Sequence, residues 1–147
     1  MKRSVCLFIA ALALAGCARE PLESAVDPRV AREVAAVRLD AELTAMAQHQ
    51  ADEMAAHGEL SHNVAGPFAT RLVQAQVAAE EAGENLGAGY YSLSDAMAGW
   101  KGSAEHNANM LRPDFTRIGV AIAKNAHSHW GVFWAMEFAG EPMTALR

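Results

Sequence analysis

A layered α+β domain, with helices set against a small antiparallel sheet, is the fold this sequence predicts. Three observations carry that prediction. Apolar residues recur at three- and four-residue spacing between Asp40 and Gly58, they alternate at a spacing of two between Ile118 and Phe138, and helix-capping signals lie between these regions.

Asp27-Pro28 starts a first helix running towards Val37, because proline is tolerated at the first helical position. Asp40 can cap a second helix, in which Leu43, Met46, Ala47, Gln50, Ala51 and Met54 share one face and Gly58 offers a left-handed stop. His49 and His57 fall on its other side, where solvated histidines are expected. After a turn region, Pro67 opens a short helix through Gln74, and Glu80-Glu81 reads as a solvated acidic face leading into Gly83-Glu84-Asn85. Glycine before an acid and asparagine after it suit a tight turn or an irregular strand. Ser92 and Asp95 form a variant capping box, with the carboxylate reaching back to the Ser92 amide, for a helix that buries Met97 and ends at Trp100. One further turn carries His106 and ends near Leu111 and Pro113.

Beyond Pro113 the period is two. Ile118 to Ala123 alternates with glycine and alanine, and Trp130, Val132, Trp134, Met136 and Phe138 point to one side of a second strand, with Phe133 and Glu137 on the other. Lys124 to Ser128 connects them as an antiparallel hairpin with His127 and His129 exposed near its tip. Trp100, Trp130 and Trp134 are expected in the core, as are Met46, Met54, Met97 and Met136. Tyr90 and Tyr91 either line a groove or pack a loop.

The 147-residue chain begins with Lys2 and Arg3 followed by an apolar stretch from Val5 to Ala15, too short to span a membrane permanently. Leu14-Ala15-Gly16-Cys17 resembles the lipobox of bacterial lipoproteins, in which the cysteine is lipidated and becomes the mature amino terminus. Residues 1–16 are therefore expected to be a signal peptide, 17–26 a lipidated cysteine and tether, and 27–147 one domain. Cys17 would anchor the chain to a membrane of the cell envelope, and Ala18 resembles the residue found after the cysteine in lipoproteins of Gram-negative outer membranes. Cys6 lies in the removed segment, so no thiol remains for a disulfide. Loss of Lys2 and Arg3 leaves ten basic residues against 17 acidic ones, a net charge of −7 that argues against nucleic acid as a partner.

Gly83-Glu84-Asn85-Leu86, the Trp100-x-x-Ser103-x-x-His106 run with Asn109 and Leu111 after it, and the Phe115 to Val120 approach to the last strands together resemble the CAP superfamily, or SCP domain. That superfamily includes cysteine-rich secretory proteins, antigen 5 allergens and plant pathogenesis-related proteins, and the features match its bacterial branch. The resemblance spans roughly Leu39 to Gly140 and implies an α-β-α sandwich. It also implies a groove lined by two histidines and two acids. His62, Glu84 and His106 match three of these positions, while Ser103 stands where animal members carry the fourth, an acid. Glu105 does not substitute, because adjacent helical residues face about 100° apart.

The sequence leaves three chemistries open for this group. It can form a binding groove for a lipid, peptide or cell-wall fragment, without turnover, which is the leading expectation. It can instead form a structural hydrogen-bond network. Alternatively, a hydrolase could use His62 and His106 to bind zinc or another divalent metal, with Glu84 as third ligand or behind the ligands, or use Ser103, a histidine and Glu84 as nucleophile, base and orienting acid. Ser103 lacks the Gly-x-Ser-x-Gly elbow that exposes such a nucleophile.

Overall fold

The computed structural model describes residues 37–142. The expected signal segment, the tether and the helix expected from Asp27 lie outside them. β1 (Arg38–Leu39) leads into α1 (Ala41–His57), followed by α2 (Phe68–Gln74), β2 (Ala82–Ala88), α3 (Leu93–Gly102), α4 (Ala104–Met110), β3 (Arg117–Asn125) and β4 (Gly131–Ala139). The strands form one sheet in the order β1-β3-β4-β2.

The helix signals act as expected. The Asp40 side chain accepts from the Leu43 amide at 3.0 Å and α1 stops at Gly58, whose φ of 66° suits glycine. All six residues assigned to its inner face are buried. Burial alone would raise the Asp40 carboxyl, but the Leu43 amide and the Arg117 guanidinium outweigh it and hold its pKa below the ordinary value. α2 starts after Pro67. The Ser92 hydroxyl accepts from the Asp95 amide at 3.1 Å and donates to the Asp95 carboxylate at 2.7 Å, so that carboxylate meets the hydroxyl instead of the expected amide. α3 then runs two residues past Trp100, to Gly102.

The sheet is antiparallel across its three long strands, with β3 and β2 flanking β4. It is mixed overall, because the two-residue β1 pairs parallel with β3. That correction to an all-antiparallel sheet follows from the connection: the chain between β1 and β3 runs through α1, α2, β2, α3 and α4, long enough to bring β3 beside β1 in the same direction. The Gly-Glu-Asn segment lies within β2, an edge strand.

Two cores sit on opposite faces of the sheet. Ala47, Ala51, Met54 and Ala55 of α1 pack against Leu86, Ala121, Ala123, Phe133 and Ala135. On the other face Ala96 and Trp100 of α3 pack with Phe115, Val132, Trp134, Met136 and Phe138, backed by Ile118, Val120 and Ile122. The two-residue alternation thus sorts the hairpin onto two layers of helix, the α-β-α sandwich. Small residues let α1 lie close to the sheet. A Cβ at Gly119 would fall 2.1 Å from the Leu43 carbonyl carbon, so no side chain fits there. Trp130 departs from the expected strand face: it precedes β4, lies in the turn and is 39% exposed. Gly131 (φ 71°) turns the chain after it.

Candidate functional site

Strand β2 divides the motif residues between the two faces. Successive strand side chains point in opposite directions, so Glu84 and Leu86 face the α1 and α2 layer while Asn85 faces α4. Asn85 is fully buried; its Nδ2 donates to the His106 carbonyl at 2.9 Å and its Oδ1 accepts from Asn109 Nδ2 at 2.8 Å. This amide pair pins α4, and with it His106, to the outer edge of the sheet.

On the opposite face His62 meets Glu84. Nδ1 of His62 lies 2.7 Å from Glu84 Oε1, with the imidazole side chain 59% exposed and the carboxyl side chain 4% exposed. A carboxylate only accepts, so Nδ1 carries the hydrogen and Nε2 is left to face solvent. An outward imidazole held from behind by a buried acid is the product.

Behind Glu84 lies a cluster that sequence reasoning did not include in the site. Arg71 of α2, with a side chain 1% exposed, places Nη2 2.8 Å from Glu84 Oε2 and Nη1 3.1 Å from Glu137 Oε1. It also donates from Nη2 to the His62 carbonyl at 3.1 Å and from Nε to the Gly66 carbonyl at 3.2 Å. The Nη2 contact to Glu84 is an ion pair by distance, but Oε2 receives no aligned hydrogen bond from the described residues. One guanidinium therefore fastens the loop bearing His62 to the two adjacent strands bearing Glu84 and Glu137. Gln50 adds a second tie, donating from Nε2 to the Ser61 carbonyl at 2.6 Å.

Glu84 and Glu137 are directly opposite across β2 and β4. The hydrogen bonds from the Gly89 amide to the Val132 carbonyl and from the Gly140 amide to the Glu81 carbonyl fix the ladder's phase, which makes Glu84 and Glu137 a non-hydrogen-bonded pair. Side chains approach most closely in such pairs. Burial pushes the Glu137 carboxyl up to about 9, and the neighbouring charge of Glu84 adds to the rise against the opposing effect of Arg71. The signal in the sequence was a single acid on the inner, otherwise apolar face of β4, beside Phe133 and Ala135.

Ser103 occupies the N-cap of α4, where its hydroxyl accepts from the His106 amide at 3.5 Å. The geometry gives it a capping role. For zinc, the two expected ligands come from different elements: His62 is on the loop before α2, and His106 is on α4, beside the edge strand β2. Among the described residues no group of three or more His, Cys, Asp or Glu side chains is placed to hold a metal ion. The described residues do not fit a three-ligand zinc centre.

The protein's relatives agree with this architecture. The uncharacterized protein YkwD of Bacillus subtilis is 33% identical over 60 residues, covering 41% of this chain and 21% of that protein. An extracellular protein containing a SCP domain from Bacillus anthracis superposes with a TM-score of 0.62 at 25% identity, over 71% of this chain and 34% of the other. This chain thus spans only a minor part of either relative's length. An outer surface protein of Borrelia burgdorferi shares the fold with a TM-score of 0.65 at 16% identity, over 78% of this chain and 88% of that one. The family model described as CAP, cysteine-rich secretory protein family, matches residues 27–138, and the chain belongs to that family.

Proposed function

We propose that this chain is an extracytoplasmic CAP domain, anchored through lipidated Cys17, that binds a ligand at its His62–Glu84 dyad without turning it over. The observation that carries this reading is the exposed imidazole fixed at 2.7 Å by a buried carboxylate. It presents one oriented hydrogen-bonding nitrogen, a recognition element for a polar group on a lipid, peptide or cell-wall fragment. The relatives described as extracellular or as an outer surface protein support the compartment. Ser103 as a helix cap supports binding over serine-dependent hydrolysis.

Nuclear magnetic resonance titration of a soluble form beginning after Cys17 tests the site. Muropeptides, short peptides and phospholipid micelles are added separately to the parent and to His62→Ala. Saturable shifts around residues 59–67 that vanish in H62A are expected for one of these classes. Binding unchanged in H62A would overturn the site, and His62-dependent turnover of an ester or peptide would replace the binding reading with a hydrolase. Cys17→Ser is expected to release the full chain from membranes; a variant that stays membrane-bound rejects the anchor.

A specific observation also favours the network reading for the inner half of the site. Arg71, Glu84 and Glu137 are almost completely buried, so these groups hold the loop while His62 alone meets solvent. Substitutions of the inner groups are expected to lower the melting temperature, unlike H62A.

A further inference from the structure

Two carboxyl groups and one guanidinium share the buried space between α2, β2 and β4. If both acids were ionised, two adjacent negative charges would face a single positive one away from water, an arrangement burial strongly disfavours. Hydrogen bonding points to the same conclusion. Glu84 Oε2 and Glu137 Oε2 are both buried, and neither has a hydrogen-bond donor among the described residues. They belong to carboxyl groups that sit directly opposite one another on β2 and β4 and share the Arg71 guanidinium. A single proton between them removes both defects: each oxygen gains a partner, and the cluster becomes one cation with one anion.

We propose that Glu137 keeps its proton at neutral pH and donates it to Glu84, acting as a positioning residue that aims the Glu84 carboxylate at His62. Glu137 Oε1 is held by Arg71 at 3.1 Å, which leaves Oε2 as the oxygen to carry the hydrogen. With Oε2 of Glu84 engaged by that hydrogen and by the Arg71 charge, Oε1 is left for His62 Nδ1. Other groups packed around Glu137 do not titrate: α1 turns Leu43, Met46, Ala47 and Gln50 to the sheet, and β3 places Gly119 opposite. The charged or titratable groups facing it are thus Arg71 from α2 and Glu84 from β2, with His62 beyond Glu84.

The inference rests on reading His62 and Glu84 as the ligand-facing dyad, yet its test needs no ligand, so failure of one is distinguishable from failure of the other. Infrared spectra of the soluble form at pH 7 are compared with those of Glu137→Gln, and imidazole nitrogen resonances are followed in the parent, E137Q and Glu137→Leu. A protonated-carboxyl band present in the parent and absent in E137Q is expected. The hydrogen-bonded Nδ1–H resonance of His62 is expected to persist in E137Q, whose neutral amide can donate to Glu84, and to be lost in E137L. Absence of the protonated band, or loss of the resonance in E137Q, would overturn the proposal. Should E137L fail to fold, the infrared band and E137Q still decide it.

Discussion

The two faces of edge strand β2 solve the same problem with different chemistry. Towards α4, Asn85 and Asn109 satisfy one another and the helix backbone through neutral amides. Towards α2, Glu84 is met by Arg71 and His62, with Glu137 alongside. Neutral amides hold their partners at any ordinary pH, whereas the ionic cluster is stable only with a particular number of protons. The difference teaches which face can respond to its surroundings. The amide face fixes a helix, and the ionic face carries the solvent-facing imidazole.

Removing the central cation should produce the largest effect. Arg71→Met leaves two buried carboxyls without their counter-charge and frees the His62 and Gly66 carbonyls, for an expected loss of about 3–5 kcal/mol in denaturant unfolding. The loss should be greater at pH 9 than at pH 5, where an added proton relieves the remaining acids. On the other face, Asn85→Ala strands a carbonyl and an amide and should cost about 1–3 kcal/mol with little pH dependence. Equal pH dependence in both variants would erase the contrast between the faces.

The parent protein sharpens the same comparison through pH. Glu137 ordinarily titrates at 4.5 but is raised to about 9, so the folded state holds more protons than the unfolded state between these values. Its contribution to stability is present below the lower value and declines as pH rises towards the upper one, at up to about 1.4 kcal/mol per pH unit. Melting temperatures from pH 5 to 9 should show this decline in the parent and a flatter profile in E137Q. Asp40 acts in the opposite sense, its contribution fading as pH falls through the acid range. Ser103→Ala should have the smallest effect, about 1 kcal/mol from the lost cap of α4, with the resonances of the His62 loop unchanged.

What was legible in the sequence follows from how far each signal reaches. Asp40, Gly58, Pro67 and Ser92 act within a few residues, and period-two patterning reports which face of a strand is buried, so α1, α2, α3 and the terminal hairpin could be read directly. β2 was harder: its glycines, acid and asparagine lack strand character, and β4 supplies the pairing from about fifty residues away. Trp130 was misplaced because the left-handed Gly131 starts the strand one residue later than the aromatic pattern implies. The site was only half visible. His62 and Glu84 emerged from a family resemblance, and the structure joins them, but Arg71 is 66 positions from Glu137 in sequence and no local spacing connects the two.

The order of the strands also governs how the domain bears load. The chain preceding Val37 leads into β1, at the edge of the sheet opposite β2. β1 is only two residues long, and its pairing with β3 is flanked by bonds from the Arg38 amide to the Thr116 carbonyl and from the Asp40 amide to the Ile118 carbonyl. The Asp40–Arg117 ion pair at 3.0 Å stands immediately behind them. Tension drawn through that segment would be taken first by this short clasp. The clasp can peel while β3 and β4 stay zipped over nine paired positions, and the load then passes to α1, the element that leads into the His62 loop.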